Sequence, residues 1–178
     1  MNIRAGIAVL LWLQILALAG CTTIDMQHSL VQQGSGNYAA VYFIRPDTER
    51  YMGATDNRIL IELDKKLLLK LVKSEYTLVH LKPGEVDLTI KSRTIAGPFR
   101  EFKDVKRTKR FDFEAGSTYY ISIEAVDGEF RGTYFQPRLV DLEAAKEMSR
   151  FMRASGPARR APLHPRGSNP QIPFLPFI

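Results

Sequence analysis

One cysteine, three histidines and one tryptophan are present in a chain of 178 residues. A single cysteine, Cys21, excludes an intramolecular disulfide, so the fold must be held by packing alone. The histidines, His28, His80 and His164, are far apart. None stands at HxxxH or another close metal-ligand spacing. No GxSxG is present, and no histidine is placed to serve a serine nucleophile. The segment Gly34–Ser35–Gly36–Asn37 lacks the lysine of a phosphate loop and opens no helix. Strand and helix periods do not alternate, which argues against a parallel nucleotide-binding sheet. Acids are missing before Cys21 and after Ala154. These absences point away from an enzyme, a cofactor or a bound metal.

The one long apolar run, Ile7 to Ala19, is too short for a helix across a bilayer core of roughly 30 Å, but it suits a signal-peptide core. Arg4 precedes it, and Leu18, Ala19, Gly20 and Cys21 follow as a lipobox. Small residues at 19 and 20 let an extended chain enter a narrow peptidase site. This resembles the signal sequence of bacterial lipoproteins. The resemblance implies a diacylglycerol on the Cys21 sulfur, cleavage before Cys21 and acylation of the new amino terminus, so that residues 1–20 are removed. It also implies the lipoprotein processing and sorting machinery as partners. Thr22 stands where Asp favours inner-membrane retention in lipoproteins of enteric type, so the expected address is the periplasmic face of the outer membrane. The competing reading is an ordinary secretory signal, or an uncleaved anchor, with a chance cysteine.

Residues 21–37 are polar and read as a flexible tether, which fully extended spans about 50 Å. From Tyr38 short β runs begin. Residues 38–45 are apolar on both faces, as in a buried strand, and Pro46 ends them. Ile59, Ile61 and Leu63 alternate, Asp64 and Lys65 turn, and Leu67, Leu69 and Leu71 alternate again, a hairpin. Tyr76, Leu78 and His80 share one face of the next strand, with Thr77, Val79 and Leu81 on the other. Pro83 and Gly84 turn into Val86, Leu88 and Ile90. Ala96, Gly97 and Pro98 break the pattern. A basic strand leads to Phe111 and Phe113, and Gly116 turns into 118–126. Asp127–Gly128 signals a two-residue hairpin, whose second strand carries Phe130 and Tyr134 and stops near Pro137.

The expected fold is an all-β antiparallel sandwich of about seven to eight strands, spanning 38–153 with one C-terminal helix. Asp141 caps that helix. Leu142, Ala145, Met148 and Met152 form its apolar face, Glu143 lies in its first turn, and Arg150 and Arg153 lie in its last. Gly156 and Pro157 stop it. The expectation is that it covers a sheet edge or face; an exposed helix with a partner-binding stripe is the alternative. Residues 154–178, with six prolines and the apolar end QIPFLPFI, read as a disordered tail.

The net charge is +6, with a pI near 9.5. Arg159, Arg160 and Arg166 lie in the acid-free terminal segment, so the excess reads mostly as a tail effect over a nearly balanced body. An envelope address argues against nucleic acid. Asp112 and Glu114 alternate with Phe111 and Phe113 and so read as solvent-facing. His80 reads as a core or edge histidine. Lys106, Arg107, Lys109 and Arg110 form the one candidate patch for an anionic ligand. The plainer account is a solvated strand guarded by lysine.

Three stretches carry a wider resemblance: AAVYFIRP at the first strand, YTLVHLKPGEVDLTI, and AGSTYYISI. Over about Tyr38 to Tyr134 the chain resembles a bacterial lipoprotein domain family of unknown function, the DUF2846 type, and its PGE turn is similar to the PEGA repeat. The resemblance implies a small β-sandwich on a lipid anchor and carries no catalytic residues. The resulting expectation is a lipid-anchored envelope protein that binds or scaffolds an envelope partner. The alternative is a lipoprotein that binds lipid headgroups, lipopolysaccharide or glycan through the basic strand. An envelope hydrolase is the third reading.

Overall fold

The computed structural model describes residues 24, 30–31, 37–48, 58–128 and 132–164. It is an all-β sandwich with one helix. Among the described residues nine strands run in order: β1 (Ala39–Arg45), β2 (Arg58–Leu63), β3 (Lys66–Val72), β4 (Glu75–Leu81), β5 (Gly84–Ala96), β6 (Glu101–Phe113), β7 (Thr118–Asp127), β8 (Thr133–Val140) and, after helix α1 (Leu142–Ser149), β9 (Arg153–Ser155). One sheet has the order β8-β7-β1-β4-β9 and the other β3-β2-β5-β6.

Alternation sets the layers. Ala39, Val41 and Phe43 of β1 enter the core between the sheets, with Val79 and Leu81, Ile59 and Ile61, Leu88 and Ile90, and Ile121 and Ile123. The intervening Ala40, Tyr42 and Ile44 face the other way, into a second cluster with Tyr76, Leu78, Ala145, Met152, Ala158 and Leu163. The five-stranded sheet is therefore covered on both sides. This explains why residues 38–45 carry no polar face.

The sandwich is not wholly antiparallel. β1 pairs parallel with β7, Ala40 opposite Thr118, and β4 pairs parallel with β9, Glu75 opposite Arg153. Such pairs join segments far apart in sequence, and no local turn signal announces them. The β2–β3 hairpin, which does carry a local turn signal, forms as expected. Asp64 and Lys65 both adopt left-handed φ (47° and 68°), as a two-residue turn between twisted strands requires.

Four expectations change. The β7–β8 connection is not two residues: Asp127 pairs with Thr133, and Gly128 N–H donates to the Gly132 carbonyl at 3.2 Å. β8 passes through Pro137 because it is a sheet edge, where a residue without an N–H is tolerated. The helix ends at Ser149. Asp141 caps it as expected, accepting from Ala144 N at 2.7 Å, but Arg153 N donates to Ser74 O at 3.0 Å, so the chain adds a strand to the open edge of β4 rather than another helical turn.

The fourth change concerns the tails. Residues 154–164 belong to the folded body: Gly156–Arg159 form a 3-10 turn, and Ala158 is completely buried. The tether is likewise shorter than residues 21–37. Ile24 bridges to Leu69, Val31 bridges to Leu81 and is buried, and Lys82 N donates to Leu30 O at 2.8 Å. His28, Phe130, Arg166 and the QIPFLPFI end lie outside the described residues.

A buried charge closes one end of the core. Arg45 is wholly buried on β1, donates to the Leu71 carbonyl at 2.8 Å and lies 5.0 Å over the Phe135 ring. Across the ladder from it, Glu75, 1% exposed, accepts from Arg153 at 2.9 Å.

Two outcomes follow. Ala158→Asp places a carboxylate without a partner under the sheet and should lower unfolding free energy by at least ~2 kcal/mol in a denaturant titration, whereas a disordered residue 158 would leave it unchanged. Tyr42 stacks on Tyr120 at 5.5 Å and donates to the Ala161 carbonyl at 2.9 Å. Burial, then the neighbouring Tyr120 and Tyr76, raise its pKa above the ordinary 10.0; burial also raises that of Tyr76. A phenol with a raised folded-state pKa contributes stability that is full below its unfolded pKa and is lost as pH climbs through the folded one. Stability should therefore fall as pH rises above about 10, and Tyr42→Phe should flatten that fall.

Candidate functional site

β5 and β6 form the longest hairpin, thirteen residue pairs from Gly84 opposite Phe113 to Ala96 opposite Glu101. β6 is the outer strand of its sheet. Near the sandwich centre the inner face of the hairpin is apolar: Val86, Leu88, Ile90, Phe111 and Phe113 are buried. Further out the inner residues are Ser92, Thr94 and Ala96, and these too are buried. The end of the β7–β8 loop seats against them. A Cβ on Gly132 would lie 2.5 Å from Thr94 Oγ1 and 2.7 Å from the Ile95 carbonyl, so only glycine permits this approach.

The four basic residues of the candidate patch are not brought onto one face. Residues of opposite parity on a strand point to opposite sides. Arg107 and Lys109 share the side of Phe111. The Arg107 guanidinium lies 4.2 Å over the Tyr134 ring, and the Lys109 amine 5.5 Å over Phe111. Lys106 and Arg110 are on the outer side.

That outer side is a ladder of cross-strand pairs. Arg110 Nε donates to Asp87 at 2.9 Å, Thr89 and Thr108 share a hydroxyl bond at 2.8 Å, and Arg93 Nε donates to Asp104 at 2.8 Å. Lys91, opposite Lys106, bridges to Glu62 on β2. The hydrogen bond from Arg110 holds the Asp87 carboxyl below its ordinary pKa, and that from Arg93 does the same for Asp104; both stay ionised. Lys106, Arg107 and Lys109 form no ion pair among the described residues. The four side chains thus contribute a summed field rather than lining a pocket.

That field is concentrated. Residues 91–110 contain eight basic side chains against the two acids Glu101 and Asp104. The +6 of the whole chain is therefore matched within these twenty residues, and the remainder is neutral. The charge excess belongs to the distal half of the hairpin, not mostly to the tail. Sequence reading also passed over the hairpin's end, where Phe99, Phe102 and Ile95 are exposed. The usable signal was Ile95 and Phe102 standing at outward-facing positions on either side of a Gly–Pro turn.

Other candidate sites are weaker. His80 is half-buried and stacks on Tyr38 at 4.1 Å; burial lowers its pKa. Asp112 and Glu114 are exposed, as their alternation implied. His164 Nε2 is 2.7 Å from the Lys146 carbonyl and 3.1 Å from Ser149 Oγ. A nitrogen donating to that carbonyl has no lone pair left to deprotonate the serine, and Ser149 is buried. An open depression of about 400 Å³ is lined by Asn37, Tyr38, Ala40, Gly116, Ser117 and Thr118. Among the described residues no three His, Cys, Asp or Glu side chains converge as a metal site needs, and no helix is long and apolar enough to cross a membrane. Cys21, Leu18, Ala19 and Gly20 lie outside the described residues.

No family model and no curated protein matches this chain.

The stacking of Arg107 on Tyr134 separates it from its neighbours. Arg107→Ser should cost about 0.5–1 kcal/mol of stability in thermal denaturation, and Lys106→Ser should stay within about ±0.5 kcal/mol.

Proposed function

We propose that this chain is a bacterial envelope lipoprotein, held by fatty chains on Cys21 at the periplasmic face of the outer membrane, with a β-sandwich that binds or scaffolds. The observation that carries the reading is the sole cysteine standing directly after Leu18–Ala19–Gly20 and a basic-then-apolar leader. The sandwich is consistent with the DUF2846-type resemblance. Two or three acyl chains hold a protein on a bilayer where one gives only marginal residence, with K of about 10⁴ M⁻¹. The folded body is then free to meet a partner rather than to hold the membrane.

Ile24, only three positions after Cys21, bridges to Leu69 on β3. Three extended residues span about 10 Å, so the body rests close against the bilayer instead of hanging some 50 Å away. The domain's role is then exercised at the membrane surface, with the basic hairpin available to anionic groups there. A hydrolytic role has less support, since Ser149 and His164 are arranged to cap a carbonyl.

Mass spectrometry of protein purified from envelopes tests the anchor. The expected product starts at Cys21 and carries acyl groups, and Cys21→Ser should leave residues 1–20 attached. A free Cys21 thiol on a chain that still begins with Met1 overturns the reading.

A further inference from the structure

At the end of the β5–β6 hairpin, Phe99 is 85% and Phe102 66% exposed, with Ile95 across the ladder at 41%. Large apolar groups gathered at a protruding end mark a contact surface. They are not there because the hairpin is loosely held. Its inner face is closed at Thr94 and Ala96, and Gly132 sits against it. Arg93 and Lys106 stand on the outward face beside Ile95 and Phe102, Arg100 is in the connecting turn, and Lys103 is on the opposite face with its amine reaching toward Gly97; Asp104 is engaged by Arg93.

We propose that this tip docks on an anionic lipid bilayer, with Phe99, Phe102 and Ile95 at the acyl boundary and Arg100, Lys103 and Lys106 at the headgroup phosphates. Charge selects this occupant. The twenty residues that match the chain's entire excess positive charge carry the exposed rings of Phe99 and Phe102 at their hairpin end. Aromatic rings settle at the headgroup level, and clustered cations are drawn to anionic lipid. A second copy would bring the same positive charge against itself. A stable protein interface needs about 800 Å² from each partner, more than three side chains at the end of two strands present.

The proposal deepens the lipoprotein reading, on which it rests for a membrane within reach. Leu69, Ile61, Ile90 and Arg107 form one row across the four strands, and Ile24 joins that row at Leu69. Ile95 is five residues further along β5, so the tip stands roughly 20 Å from the anchored edge by ordinary strand spacings. Two contacts at that separation fix how the sandwich sits on the surface.

Trp12 is the only tryptophan, so a reporter is easily placed. The full chain carrying Trp12→Phe and Phe99→Trp is purified from envelopes and mixed with vesicles of phosphatidylglycerol or of phosphatidylcholine, each with brominated acyl chains. Cys21 acylation is read by mass on the same sample. The expected result is blue-shifted, quenched emission with phosphatidylglycerol and much less of either with phosphatidylcholine. Arg100→Ser and Lys103→Ser should each weaken vesicle affinity roughly fivefold. Unshifted emission from an acylated chain overturns the docking tip and leaves the anchor standing. A quenched tip on an unacylated chain does the reverse. A shift that appears on concentration without lipid assigns the tip to a second copy and overturns the proposal.

Discussion

Strand β1 has no face to spare. Val41 and Phe43 are completely buried on one side and Ile44 on the other, while β4 and β7 occupy both of its edges. A strand enclosed on four sides demands that everything around it be in place. That includes the opposing sheet, helix α1, and the proline-containing segment whose Ala158 and Leu163 finish the second layer. Full burial of each large side chain contributes about 1.5–3 kcal/mol, so no covalent staple is needed.

Much of this was legible because it is local. Period-two alternation at Ile59–Leu71 and Val86–Ile90, the Asp64–Lys65 turn and the Asp141 cap are written within a few residues of where they act. The parallel pairs were not legible: nothing near Ala40 indicates Thr118, and nothing near Arg153 indicates Glu75. The C-terminal end misled for a physical reason. Gly156 and Pro157 do end regular structure, yet a short strand needs only three residues and an open edge. Small residues such as Ala158 contribute to packing without producing an apolar stripe.

The basic hairpin was legible as a run of charge and illegible as a site. Counting Lys106 to Arg110 along the chain overstates a patch that the pleat divides, two side chains to each side. The cross-strand partners Asp87 and Asp104 then absorb part of the outer charge. What survives is a field with an apolar point at its end. It becomes visible only once the ladder shows Ile95 and Phe102 side by side. The segment before β1 changes in the same way: a polar stretch that suggested a long leash is fastened at Ile24 and Val31.

The parallel contact between β1 and β7 also bears on timing. The first strand of the body meets one edge neighbour some forty positions later and the other nearly eighty positions later. Closing such distant contacts is slow compared with zipping a hairpin. The amino-terminal third therefore has no finished tertiary structure until most of the polypeptide has emerged. During synthesis, that delay keeps the leading portion pliable until its distant partners exist.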